Sequence, residues 1–193
     1  DTTAAQVMLE ALGARYGESP TFERLAIVAF HNGDLPQAQS ALIKADASMS
    51  TAMLEAVLHA HSGRPDLVCE VIRSSPEVER CLVQIAIDQY KQGRRYLADT
   101  FPLVELVATC DDQLTASDKT TAYAAYGLLA DGAIAMRKDY ERAVAWAEKR
   151  IQTQPYIGEA YYQLVSLHVM WRSEPEKARP ILLRVEELGL EGD

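Results

Sequence analysis

Three segments decide the fold: LAIVAFHNGDLPQA (25–38), EAVLHAHSGRPDLV (55–68) and IAIDQYKQGRRYLA (85–98). They follow one another at intervals of 30 residues, with Ala26, Ala56 and Ala86 at one phase, Gly33, Gly63 and Gly93 at a second, and Ala38, Val68 and Ala98 at a third. Each unit is an apolar segment, a glycine turn and a second apolar segment. Self-similarity at this period marks a repeat architecture, in which a unit cannot bury its apolar face alone and stacked neighbours share one core.

Working outward, the apolar positions keep three- and four-residue spacing and no β-alternating run survives, so the chain reads as all-α. Residues 3–16 carry Val7, Met8, Ala11 and Leu12 on one face and predict an amphipathic helix ending at Gly17. Asp34 and Gln37 predict a capping pair, with Pro36 in the first helical turn where a missing N–H costs nothing. Pro76 predicts a helix start, and Pro102 predicts a kink or break near Thr100. Residues 111–117 read as a polar, irregular connector. The alanine-rich run from Thr120 to Ala135, with Tyr123 and Tyr126, predicts close helix packing. Ser173 and Glu176 have capping-box spacing before a last helix that Gly189 ends. The turn phase continues from Gly93 through Lys138 to Ser173, at intervals of 45 and 35 residues.

Composition narrows the function classes. Hydrophobic residues make up 48% of the 193 residues, enough for a core, and the formal net charge is −9. Adjacent basic residues occur only as isolated pairs, Arg94–Arg95 among them, in an acidic chain, so neutralisation of nucleic-acid phosphates is disfavoured. No run of 18 apolar residues is present, which predicts no membrane insertion. Cys69, Cys81 and Cys110 each fall among apolar residues at helical spacing, none in a CxxC. They read as small core hydrophobes rather than a disulfide or metal framework, which leans towards a reducing, cytoplasmic compartment, with the periplasm as the alternative for an excised domain.

The run Asp139, Tyr140, Ala143, Trp146 and Pro155, followed by Ala160, Tyr161 and Leu164, resembles the tetratricopeptide repeat, and HNGDLPQAQSALIKA (31–45) is similar to its turn and second helix. The repeat period of that family is about 34 residues, whereas the first spacings here are 30, so the resemblance is to a divergent member. It implies an α-α superhelix, a tetratricopeptide-like solenoid of antiparallel helix pairs. Residues 1–193 read as one such domain, with units at roughly 1–17 (partial), 19–48, 49–75, 76–112, 115–155 and 156–189.

The resemblance also implies a concave groove lined by the first helix of each pair, which binds a segment of a partner protein and makes the chain a non-catalytic adaptor or scaffold. Projected onto this sequence, the groove carries Phe30, His31, Met53, His61, Tyr90, Lys91 and Tyr162, with Glu23, Ile27, Val57, Val83, Ile87, Leu128, Met136 and Ser166 in the same phase. His31, His61 and Lys91 form a ladder of basic groups, and Phe30 and Tyr90 offer aromatic anchors. Glu23 and Ile27 stand where a carboxylate clamp would need cations.

Other chemistries find little footing. His59 and His61 are two apart, about 200° around a helix, and cannot share a metal ion as residues four apart do. No GxSxG, Walker glycine loop or HExxH is present, so neither an enzyme nor a bound cofactor is expected. Glu77, Glu79, Glu186 and Glu187 read as charges on solvated helix faces. An effector-sensing domain of a larger regulator is the alternative, motivated by the uneven spacing after Gly93. Self-association is open, because unstacked units expose apolar faces.

Overall fold

The computed structural model describes residues 10–11, 19–91, 97–111, 113–114 and 116–190. These form ten α-helices and no strand: α1 Ser19–His31, α2 Leu35–Leu42, α3 Met49–His61, α4 Pro65–Ser74, α5 Pro76–Lys91, α6 Leu97–Cys110, α7 Lys119–Gly132, α8 Tyr140–Thr153, α9 Gly158–Ser166 and α10 Pro175–Glu187. Two compact units result. One comprises residues 1–79 with 109–111, the other 80–108 with 112–193.

In the first unit α1 packs on α2 and α3 on α4, with α1 and α2 both touching α3. Two repeat phases supply the contact residues. Ala29, Ala38 and Leu58 form one buried cluster and Leu25, Ala26 and Ala41 another, with Leu42 and Leu54 packed against both. Small residues at Ala26, Ala29 and Ala38 let helix backbones approach closely. Asp34 caps α2 as expected, its carboxylate accepting from the Gln37 N–H at 3.1 Å. Gly33 and Gly63 both take left-handed backbone, φ 78° and 66°, in the turn that joins each pair. There the N–H after the glycine closes on a carbonyl five residues back, Asp34 on Ala29 and Arg64 on His59. The helix expected over 3–16 lies outside the described residues except at 10–11, where Glu10 accepts a hydrogen bond from Gln37. Gly93 and Arg94–Arg95 also lie outside them.

The cysteine reading is corrected. Cys69 on α4 and Cys110 at the end of α6 form a disulfide within the first unit, and Cys81 is the free thiol. Helical spacing had suggested core packing for all three, but it says nothing of which cysteines from distant helices meet. Glu79 is corrected as well: it is buried rather than solvated. It lies in the first turn of α5, where the unpaired N–H groups of a helix start favour a carboxylate.

In the second unit α7 packs on α8, α8 on α9 and α9 on α10. The alanine-rich α7 is buried along most of its length, and Tyr126 stacks on Trp146 of α8 with ring centroids 5.8 Å apart. Gly132 permits the closest approach: a Cβ there would sit 2.0 Å from the Phe101 ring. The break expected at Pro102 is absent, and α6 runs through it. The bond its missing N–H would have made is lost, and burial of Phe101, Val104 and Val107 around it holds the helix. Leu114 is buried with left-handed backbone at φ 47°, so the connector is not polar throughout.

Helices α7 and α9 both end in a π-turn, Ala133–Arg137 and Leu167–Trp171, 34 residues apart. Here the closing bonds span six residues, Asp139 N–H to Ala133 and Glu174 N–H to His168, one more than at the glycine turns. Lys138 and Ser173 then take the left-handed position, φ 58° and 56°, that Gly33 and Gly63 hold. Ser173 is therefore not the cap of α10. That position falls to Glu174, whose side chain accepts no backbone N–H of the helix and instead meets Lys177 Nζ at 3.0 Å. The turn phase read at Lys138 and Ser173 is thus structural, and the architecture is an all-α, tetratricopeptide-like array of helix pairs.

Candidate functional site: a pocket with an acidic wall

The second unit holds a pocket of about 300 Å³ lined by Tyr90, Ala130, Asp131, Ile134, Ala135, Gln163, Ser166, Leu167 and Trp171. Five elements supply it: the last turns of α5 and α7, the second half of α9, and both π-turns. Asp131 is the organising group. Tyr90 Oη donates to its Oδ2 at 2.5 Å and Gln163 Nε2 to its Oδ1 at 2.9 Å.

The Gln163 amide is itself fixed. Its Nε2 also donates to the Gly127 carbonyl at 3.1 Å, and its Oε1 accepts from Arg150 Nη1 at 2.9 Å. Buried Arg150 continues the chain to Glu159 at 3.1 Å and lies 4.3 Å over the Tyr123 ring. Gly127 makes room for it, since a Cβ there would come within 3.0 Å of the guanidinium carbon. Burial pushes the Tyr123 phenol above its usual range, with Arg150 opposing.

Both Gln163 protons are spent inside the protein, while each Asp131 oxygen accepts one bond and keeps acceptor capacity. The hydrogen-bonding character left to an occupant is therefore that of an acceptor wall with negative charge. Beside it stand the apolar side chains of Ile134 and Leu167 and the Trp171 indole, 54% exposed. Ser166 Oγ is turned to Met170 Sδ at 3.1 Å. A carboxylate flanked by an exposed ring suits an N–H donor or a cation attached to an apolar body.

A second polar cluster underlies the Leu167–Trp171 turn. Tyr140 Oη lies 2.6 Å from Nδ1 of buried His168 and donates to Glu174 at 3.3 Å, while Arg172 sits 4.4 Å over the Tyr140 ring. Burial raises the Tyr140 phenol pKa, and the hydrogen bond from Lys177 lowers that of the Glu174 carboxyl. These contacts hold the π-turn that carries Trp171.

The residues expected to line a groove fall in different surroundings. Tyr90 is in the pocket, with Ser166 of the same phase. Lys91, next to it in sequence, is exposed at the end of α5. Tyr162 is exposed but lines a different surface, with Arg179, Leu182 and Leu183. In the first unit Phe30 is half-buried against Ala29, Ala38 and Leu58 and meets the exposed His31 ring edge-on at 6.1 Å. Met53 is half-buried, and the His61 side chain lies outside the described residues. Val83, Ile87 and Leu128 are core. Asp131, Gln163 and Trp171 were not anticipated. The one sequence signal was an acid set in an alanine-rich helix, at a position the repeat usually gives to a small residue.

Among the described residues no group of His, Cys, Asp or Glu could hold a metal ion, and no helix is long and apolar enough to cross a membrane. No family model matches the chain, and no curated protein sequence does. Among solved structures it is similar to Pseudomonas aeruginosa PilF at 16% identity, covering 91% of this chain and 77% of that one, with a TM-score of 0.43. It is similar to MamA RS-1 at 15% identity, 89% and 94% coverage and a TM-score of 0.45. It is also similar to YrrB, described as a tetratricopeptide-repeat protein with an unusual peptide-binding site, at 10% identity, 94% and 92% coverage and a TM-score of 0.43.

Proposed function

We propose that the chain is a non-catalytic interaction module that binds a segment of a partner protein in the Tyr90–Asp131–Gln163 pocket. The observation that carries this reading is the Asp131 carboxylate, held by Tyr90 and Gln163 beside exposed Trp171. A backbone N–H, a lysine or an arginine of the partner meets the carboxylate, and an adjacent apolar side chain covers the indole, Ile134 and Leu167. The net charge of −9 steers a basic segment toward the protein. Of the residues read as groove, Tyr90 lies at the site itself; Lys91 and Tyr162 in the same unit, and Phe30, His31, Met53 and His61 in the first unit taken by itself, are proposed as further partner contacts. The Cys69–Cys110 bridge supports an oxidising compartment rather than the cytoplasm as the place of action.

Selection from a random peptide-display library tests the reading. The retained peptides are expected to pair Lys or Arg with an aromatic or branched aliphatic residue, and to be lost by Trp171→Ala and Asp131→Asn protein. Retention of acidic peptides, or retention indifferent to both substitutions, would refute it.

A further inference from the structure

Helix α10 exposes a second surface away from the pocket. Its sequence RPILLRVE (179–186) places Arg179, Leu182, Leu183 and Glu186 at i, i+3, i+4 and i+7, one stripe along the helix. Ala178 and Val185, on another side, are buried. Leu182 and Leu183 are exposed at 44% and 51%, and the stripe forms a shallow surface with Tyr162 of α9. Among the described residues neither Arg179 nor Glu186 has an ion-pair partner, whereas Arg184 and Glu187 pair with each other off the stripe at 3.0 Å.

The order of charges along this stripe is self-complementary. Arg179 and Glu186 flank the two leucines symmetrically, so the midpoint of the stripe falls between Leu182 and Leu183. An antiparallel copy of the helix, related by a two-fold axis through that midpoint, would set Arg179 opposite the partner copy's glutamate and Glu186 opposite its arginine. Leu182 and Leu183 would meet their counterparts at the centre. A two-fold contact requires this reciprocity, in which position i meets j and j meets i. A parallel copy would face like charges.

We propose that this face of α10 is a homodimer contact in which two copies of the chain pair their α10 helices antiparallel through Leu182 and Leu183, with reciprocal Arg179–Glu186 ion pairs at the rim. A contact of about two helical turns buries less than the roughly 1,000 Å² of a stable interface, so association is weak.

Sedimentation equilibrium from about 10 μM to about 1 mM, the range in which weak association is read, tests the proposal with charge reversals on exposed side chains. Native protein is expected to pass from monomer to dimer. Arg179→Glu and Glu186→Arg proteins, each with unchanged far-UV circular dichroism, are expected to weaken dimerisation by about tenfold or more, because each homodimer now faces like charges twice. An equimolar mixture of the two is expected to dimerise again as a heterodimer, and the Arg179→Glu/Glu186→Arg double variant as a homodimer. A native protein monomeric throughout overturns the proposal. So does a dimer indifferent to both single reversals, or a mixture that fails to re-form it.

Discussion

Breaking the Cys69–Cys110 bridge is expected to lower the stability of the protein by about 4 kcal/mol at 25 °C. The two cysteines are 41 residues apart, and in the chain-entropy account closing a loop of that length removes about 13 cal/mol/K from the unfolded ensemble. Unfolding entropy of about 2.1 cal/mol/K per residue, over 193 residues, converts the loss into a fall of about 10 °C in melting temperature. The assay is thermal unfolding by far-UV circular dichroism of oxidised protein, of the same protein in a phosphine reductant, and of the Cys69→Ser/Cys110→Ser variant. Thiol titration of the oxidised protein in denaturant is expected to find one reactive group, Cys81, and three after reduction. Three thiols before reduction, or a melting temperature unmoved by reduction of a verified disulfide, would refute the pairing or the entropic argument respectively.

Gly132→Ala is expected to destabilise by about 2 kcal/mol, the cost of overpacking a filled core, because its Cβ would stand 2.0 Å from the Phe101 ring; chemical denaturation measures it, and a change under 0.5 kcal/mol would contradict that packing. Lys138→Gly and Ser173→Gly are each expected to stabilise by about 1 kcal/mol, because both side chains sit on left-handed backbone that glycine adopts without penalty; a loss of stability at both would show that their side-chain contacts outweigh the strain. Asp118 caps α7 by accepting from Thr120 and Thr121, and the Thr121 N–H, foremost among these bonds, lowers its pKa below the usual 3.8. A depressed carboxylate stabilises the fold above its unfolded-state pKa and loses that contribution as pH falls through the folded-state value. Asp118→Asn is therefore expected to melt below the native protein at pH 7 and to approach it as the pH drops below about 4; a gap that holds constant with pH would contradict the ionic part of the cap.

Much of the fold was legible because it is local and periodic. Asp34 with Gln37, the glycines at 33 and 63, and the same phase continued at Lys138 and Ser173 are each short-range arrangements that spacing reveals. Ser173 shows the limit even there: its side chain could cap, but the backbone needs that residue in the left-handed turn, and the cap position moves to Glu174. The π-turns insert one residue where a 3.6-residue period predicts none, so only the uneven spacing after Gly93 hinted at them. The site was less legible. Tyr90 and Gln163 reach Asp131 from 41 and 32 residues away, and an acid in an alanine-rich helix does not by itself show which distant side chains assemble around it. The disulfide is missed for the same reason, since Cys69 and Cys110 look like ordinary apolar positions until their helices meet.

The most direct test of the account is to titrate a library-selected peptide into the protein while following the emission of exposed Trp171 over the blue-shifted background of buried Trp146. Native protein is expected to show a saturable spectral shift that Asp131→Asn weakens by about tenfold, the loss of one charge-assisted contact, and that Phe30→Ala, in the other unit, leaves within about twofold, as for a residue outside the binding hot spot. A peptide that binds equally well to Asp131→Asn protein, or that loses its affinity on Phe30→Ala alone, would place recognition outside the pocket and contradict the account.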